Sequence, residues 1–301
     1  MSIPIFVRGI RPLVADSESC YKSKVSVVFS DVYSDLQNAV SSSLFPHYNY
    51  SMIYFLFALV GLLAGGVINV LADDLPRRVR PQRPHCGQCG YVYAPSGWLA
   101  IGRWLWGDRV CPECGARMRW RAVGVELTTA VLFAILPLII THPLTQAVYA
   151  LYMAVLILII VIDLEHRLIL DMITLPGTLF AIAISYLLPP QENTMRLALA
   201  GAIAGFLIFY LIYWIAQFFY GAGALGLGDV KLALLMGAML GFHRIFFALM
   251  LAIMLGGVVS LLLLLTRRIN RHTYLPYGQY LAVAAIIMLL WGVQVYNWYI
   301  Q

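Results

Sequence analysis

Charged side chains are scarce in this chain. Asp, Glu, Lys and Arg make up 11% of its 301 residues, against 61% hydrophobic residues and a mean hydropathy of +0.82. Soluble domains have about 25% charged residues, so an ordinary soluble globule is excluded. Cysteine is also sparse: of five residues, four fall in one short stretch and Cys20 stands alone without a partner. Residues 1–51 lack any apolar run long enough to span a bilayer, and they do not read as a signal peptide.

Long apolar runs fill the rest. A spanning helix needs about 20 mainly apolar residues, and eight candidates follow one another: 52–72, 122–140, 144–162, 172–188, 197–218, 230–242, 245–265 and 276–298, of which the sixth is the shortest. The fold class is therefore an all-α polytopic membrane protein of about eight transmembrane helices. A net charge of +6 invites a nucleic-acid reading, but in a membrane protein the placement of Lys and Arg reports topology. Nine of the twenty basic residues (Arg77, Arg78, Arg80, Arg83, Arg103, Arg109, Arg117, Arg119 and Arg121) lie between the first two spans, which puts that loop in the cytoplasm. Alternation then places Arg167, Lys231, Arg267, Arg268 and Arg271 on the same side and both termini outside, with the bilayer rather than nucleic acid as the partner.

Four segments result: an N-terminal extension (1–51), a first span (52–72), a cytoplasmic loop domain (73–121) and a membrane core (122–301). In the extension, Phe29, Val32, Tyr33, Leu36, Val40 and Leu44 recur at helical spacing. An amphipathic surface helix, plain disorder, and a natural start at Met52 all stay open there.

The loop domain reads CGQCG at 86–90 and CPECG at 111–115, a C-x2-C-x21-C-x2-C pattern. Each pair, followed by glycine, forms a tight knuckle that aims two thiolates at one ion. Cys86, Cys89, Cys111 and Cys114 thus predict a closed four-sulfur structural zinc site. Disulfides are the competing reading, and a reducing cytoplasm disfavours them. His85 reads as a solvated neighbour of the first knuckle. Trp98, Trp104, Trp106 and Trp120 beside arginines fit a membrane-interface belt, which lays the domain against the bilayer surface.

Acidic residues near the bilayer need a reason, because each costs roughly 2.5–3.5 kcal/mol on insertion scales. Asp163, Glu165 and Asp171 lie at the end of the third span, in VIDLEHRLILD, and Asp229 follows GAGALGLG, whose glycines are Gly221, Gly223, Gly226 and Gly228. Topology brings Asp163 and Asp229 to the same side. Two carboxyls that share a proton can activate water and polarise a carbonyl. The glycines permit a sharp turn and close approach of an extended substrate. Helix capping and packing explain the same residues without chemistry, and an ion relay in a zinc-stabilised transporter also fits, with Glu126 and Glu165 as further relay groups.

The string G-x-G-D at 226–229 continued as VKLALLMGAMLG, the acids Asp163 and Asp171 eight residues apart, the twin C-x2-C loop, and a first span ending GGVINVLADDLPRR together resemble bacterial prepilin peptidases. The likeness runs from Met52 to the LPYGQYLAVAA stretch at 275–285. It implies an integral inner-membrane aspartic peptidase of the GxGD class, cutting the basic leader of type IV prepilins or type II secretion pseudopilins after glycine at the cytoplasmic face. It also implies N-methylation of the new terminus with S-adenosylmethionine, although no glycine-rich fingerprint occurs in a strand–turn–helix setting. Carried over by position, Asp163 and Asp229 match the catalytic aspartates, the four cysteines match the zinc ligands, and Asp171, Gly226, Gly228 and Lys231 take supporting places. Departures occur at Leu170, where the family usually has proline, and at Ala72–Asp73–Asp74–Leu75–Pro76, where it has tyrosine, arginine, leucine and proline. Asp73 and Asp74 read either as loop caps or as contacts for a basic leader, and Asp108 and Glu113 are further candidates for that contact.

Overall fold

The computed structural model describes residues 50–189, 193–221, 226–267 and 277–300. Cys20, the periodic stretch 29–44, Gly223, Arg268 and Arg271 lie outside the described residues. The chain divides into two compact units, Met1–Met52 and Ile53–Gln301. Apart from residues 50–52, every described element belongs to the second.

Among the described residues all regular structure is helical. α1 (Tyr50–Asp74) leads through the loop domain, which contains one short helix, α2 (Ala100–Trp106), to α3 (Trp120–Ile139) and α4 (Pro143–His166). α5 (Asp171–Ile184), α6 (Met195–Tyr220), α7 (Leu227–Leu240), α8 (Phe242–Leu265) and α9 (Gly278–Ile300) complete the bundle. Eight helices therefore stand where the sequence predicts eight spans. Six of them, α1, α3, α4, α6, α8 and α9, are long and apolar enough to cross a membrane. α5 and α7 have 14 residues each. At 1.5 Å per residue they reach about 21 Å, short of the roughly 30 Å hydrocarbon core.

The short helix α7 is the centre of the bundle. Beyond Asp229 and Lys231 near its start it is apolar on every side, and Val230, Leu232, Ala233, Leu235, Met236 and Ala238 are almost inaccessible, as befits a helix surrounded by other helices. Lipid offers no hydrophobic force to press helices together, so close van der Waals packing of small residues has to do it. α6 supplies Gly201 and Gly205, one turn apart, and α7 supplies Ala233 and Gly237. A Cβ on Gly237 would overlap the Gly201 carbonyl, and one on Gly205 would overlap the carbonyl of Ala233. The same device joins α1 to α3: Gly61 lies against Thr129, Ala130 and Phe133, and Gly65 against Glu126.

This packing yields a controlled test. Gly237→Ala should destabilise the folded protein by about 1–3 kcal/mol through overpacking. Gly124→Ala, whose added methyl meets nothing within 4 Å, should leave the melting temperature unchanged in a detergent thermal melt.

Candidate active site and metal centre

The end of the bundle that carries the loop domain also gathers the acids. α4 ends where Arg167 adopts φ 54° and its N–H donates to the carbonyl of Asp163 at 2.9 Å. Asp163 lies in that last turn and is only 4% exposed. Its Oδ2 accepts the backbone N–H of Gln279 at 2.9 Å, in the first turn of α9. A helix N-terminus presents unpaired N–H groups and the positive end of its dipole, so it suits a carboxylate. Gly278 makes the approach possible: a Cβ there would stand 3.0 Å from Asp163 Oδ2.

Asp229 arrives from the other direction, in the first turn of α7, and is equally buried at 4%. Asp163 and Asp229 are electrostatic neighbours, and Tyr277 is a neighbour of Asp229 in turn. The predicted pair thus meets at one place. Ile169, in the link between α4 and α5, is wedged between its two sides. A Cβ on Gly228 would be 2.9 Å from Ile169 Cβ, and one on Gly278 would be 2.9 Å from Ile169 Cδ1. Gly228 therefore serves close approach. Gly226 caps α7 with an ordinary extended backbone at φ −79°, and the left-handed turn belongs to Gly221 at φ 84°.

The supporting acids are occupied. Asp171, at the start of α5, receives Lys231 Nζ at 2.6 Å, which pins the α5 N-terminus beside the turn that bears Asp229. Asp74 Oδ2 accepts the Gln82 N–H at 2.9 Å and its Oδ1 lies 3.6 Å from His85 Nε2, so it organises the loop entrance. His85 bridges to that acid rather than standing free in solvent. Glu126, buried within α3, accepts the N–H groups of Ala100 and Ile101 at 2.8 Å each and so caps α2 across the domain boundary. A residue committed to two backbone donors is poorly suited to shuttling ions.

In the loop domain the four cysteine sulfurs all lie within 4.8 Å of one another. Cys86 and Cys114 are 3.7 Å apart and Cys89 and Cys111 3.6 Å. Four sulfurs at about 2.3 Å from one ion would form a tetrahedron with edges of about 3.8 Å, so the donor set fits a metal. Each knuckle is closed by a backbone bond, Gly90 N–H to Cys86 O at 2.9 Å and Gly115 N–H to Cys111 O at 3.0 Å. The backbone N–H of Cys89 draws the Cys86 thiol down to about 6. Although the Tyr91 backbone N–H draws Cys89 down, burial and the neighbouring thiols push it up to about 12. Without a cation the four sulfurs cannot all carry charge, and a bound cation reverses that.

Sequence reasoning missed Ile169, Tyr277 and Gln279 as parts of this site. The only sequence signal for the last two was their place in the LPYGQYLAVAA stretch.

The geometry agrees with what the chain resembles. Residues 150–261 match the model of the "Type IV leader peptidase family", and residues 59–140 match that of the "Bacterial Peptidase A24 N-terminal domain". α9, whose first turn binds Asp163, lies beyond both ranges. A "Prepilin leader peptidase/N-methyltransferase" of Aeromonas salmonicida is 31% identical over 233 residues, 76% of this chain and 78% of the relative. Proteins of the same name from Pseudomonas aeruginosa (26% over 268 residues, 81% and 92%) and Myxococcus xanthus (33% over 229 residues, 74% and 67%) are also similar. No solved structure matches. The chain belongs to the type IV leader peptidase family, a family of membrane aspartic peptidases.

Proposed function

We propose that this protein cleaves the basic leader of type IV prepilins or pseudopilins after glycine, at the cytoplasmic face of the bacterial inner membrane, with Asp163 and Asp229 as the reacting pair. The convergence of two buried, neighbouring carboxyls at one end of the bundle, on either side of Ile169, carries this reading. Two carboxyls so placed share one proton. The ionised member takes a proton from water, which attacks the scissile carbonyl, while the protonated member donates to the carbonyl oxygen. The Gln279 N–H at Asp163 favours that residue as the one that keeps the charge, which leaves Asp229 as the proton donor. Burial excludes bulk water and strengthens each of these interactions.

A prepilin carries an apolar helix that sits in the bilayer, and a helical peptide bond is shielded from attack. Cleavage therefore requires the leader junction to unwind at the depth of the aspartates. Gly228 and Gly278 add no side chains of their own beside Ile169, which forms the floor between them. The charge rule favours the cytoplasm for this end of the bundle, which carries most of the arginines of the loop.

The four cysteines would hold zinc as a structural ion. A closed four-sulfur site has no position left for water or substrate, so its chemistry is to cross-link the two knuckles. A methyl donor is implied by the N-methyltransferase names of the relatives. Beside the knuckles a cavity of about 600 Å³ is bounded by Tyr91, Tyr93, Arg103, Trp106 and Asp108. Aromatic faces, a guanidinium and a carboxylate match the adenine, carboxylate and ribose hydroxyls of S-adenosylmethionine, which supplies an electrophilic methyl group. Tyr91 and Trp106 would stack on the base, Arg103, which lies over the Tyr93 ring at 3.9 Å, would face the carboxylate and Asp108 the hydroxyls.

Three outcomes test this reading. Asp163→Asn and Asp229→Asn should each abolish cleavage of a model prepilin in detergent while leaving the thermal melt unchanged; cleavage at the wild-type rate by either variant refutes the pairing. Metal analysis of purified protein should find about one zinc per chain, and Cys86→Ser or a strong chelator should remove it and lower the melting temperature. Trp106→Ala should weaken S-adenosylmethionine binding about tenfold by calorimetry, the loss of one stacking contact.

A further inference from the structure

The last turn of α4 is an unfavourable place for acids, because a helix C-terminus is the negative end of its dipole and favours cations. Two acids nevertheless sit there, Asp163 and Glu165. The compensation for Glu165 comes from other elements. Arg121, in the first turn of α3, donates from Nη1 to Glu165 Oε2 at 2.5 Å and from Nη2 to Asp73 Oδ1, in the last turn of α1, at 3.0 Å. Arg119, which caps α3, approaches the same two oxygens at 3.6 and 3.3 Å. Two acids and two arginines thus alternate in a closed ring.

An isolated exposed ion pair contributes little. This ring differs in construction. One guanidinium spans two carboxylates with both its terminal nitrogens, and the Arg121, Asp73 and Glu165 side chains are only 18–26% exposed. A planar fork fixes direction as well as distance. The ring also touches the loop domain, since a Cβ on Gly87, in the first knuckle, would stand 3.3 Å from Arg119 Nη2. It therefore ties the end of α1 and the start of α3, beside the first knuckle, to the helical turn from which Asp163 projects.

We propose that Arg121 and Glu165 are positioning residues for the peptidase reaction. Their ring with Asp73 and Arg119 fixes the end of α4, so that Asp163 is presented to Asp229 in working geometry, and makes that geometry depend on the seating of the loop domain. The turn bearing Asp229 has a counterpart two residues on, in the Lys231–Asp171 pair. The inference rests on Asp163 being one of the reacting carboxyls.

Cleavage kinetics of a model prepilin by the full-length protein in detergent test it. Glu165→Gln and Asp73→Asn should each lower kcat about 10- to 100-fold, the size of effect a misplaced reacting group produces. KM should stay within about twofold and the melting temperature should not change, the pattern of an interaction felt only in the transition state. Glu165→Asp, which keeps the charge, should recover most of the rate. Should Glu165→Gln fail to fold, Asp73→Asn on a different helix carries the same expectation. A wild-type kcat in these variants, a loss confined to KM, or a loss that tracks a lower melting temperature would overturn the proposal. Asp163→Asn in the same series separates the two failures. If it cleaves normally, the assignment of Asp163 fails; if it is inactive while Glu165→Gln is normal, only the ring inference fails.

Discussion

Two buried carboxyl groups brought to one end of a helical bundle set the terms for the rest of this structure. Each carboxyl is costly to bury, and two close together cannot readily both carry charge, so Asp163 and Asp229 depend on the elements that surround them. The Gln279 N–H steadies one of them, and Ile169 fills the space between the two glycine turns. The first turns of α5, α7 and α9 and the last turn of α4 all meet at this end of the bundle, which gives the site helix N-terminal donors as well as shape.

Holding a site in that way requires a rigid frame, and lipid cannot provide it by hydrophobic force. The glycine contacts between α6 and α7 answer this by letting two backbones touch. α7 is too short to span the bilayer by itself, yet it is the most enclosed helix, and its first turn carries Asp229 into the bundle. The loop domain is fastened by a different logic. Glu126 reaches out of α3 to cap α2, Asp74 closes the loop entrance, and the arginines at the start of α3 clasp acids from α1 and α4. Polar groups at the membrane edge thus act as joints between the bundle and the domain on it.

Some of this was legible before any coordinates. Apolar runs marked all eight helices, and for six of them the length the bilayer imposes is written locally in the chain, whereas the short α5 and α7 were marked by composition alone. The C-x2-C pairs announced a sulfur cluster for the same reason: each knuckle is a local turn, and its sulfurs are brought close by a few residues. Asp163 and Asp229 stood out because a carboxylate next to an apolar run is rare.

What the sequence by itself determined, then, was the set of helices, the cysteine cluster and the acids at one end of the bundle, all features governed by short-range chemistry. Only the tertiary structure decided which partners those groups take. The bond from Gln279 to Asp163 joins residues 116 apart, and that from Arg121 to Glu165 joins residues 44 apart. Ile169 is an ordinary isoleucine until two glycines from α7 and the start of α9 close on it. Glu126 and Glu165 looked alike as candidate relay groups, and became a helix cap and a member of a charge ring through contacts with other elements. The roles of such residues arise from packing between distant segments, which no local pattern encodes.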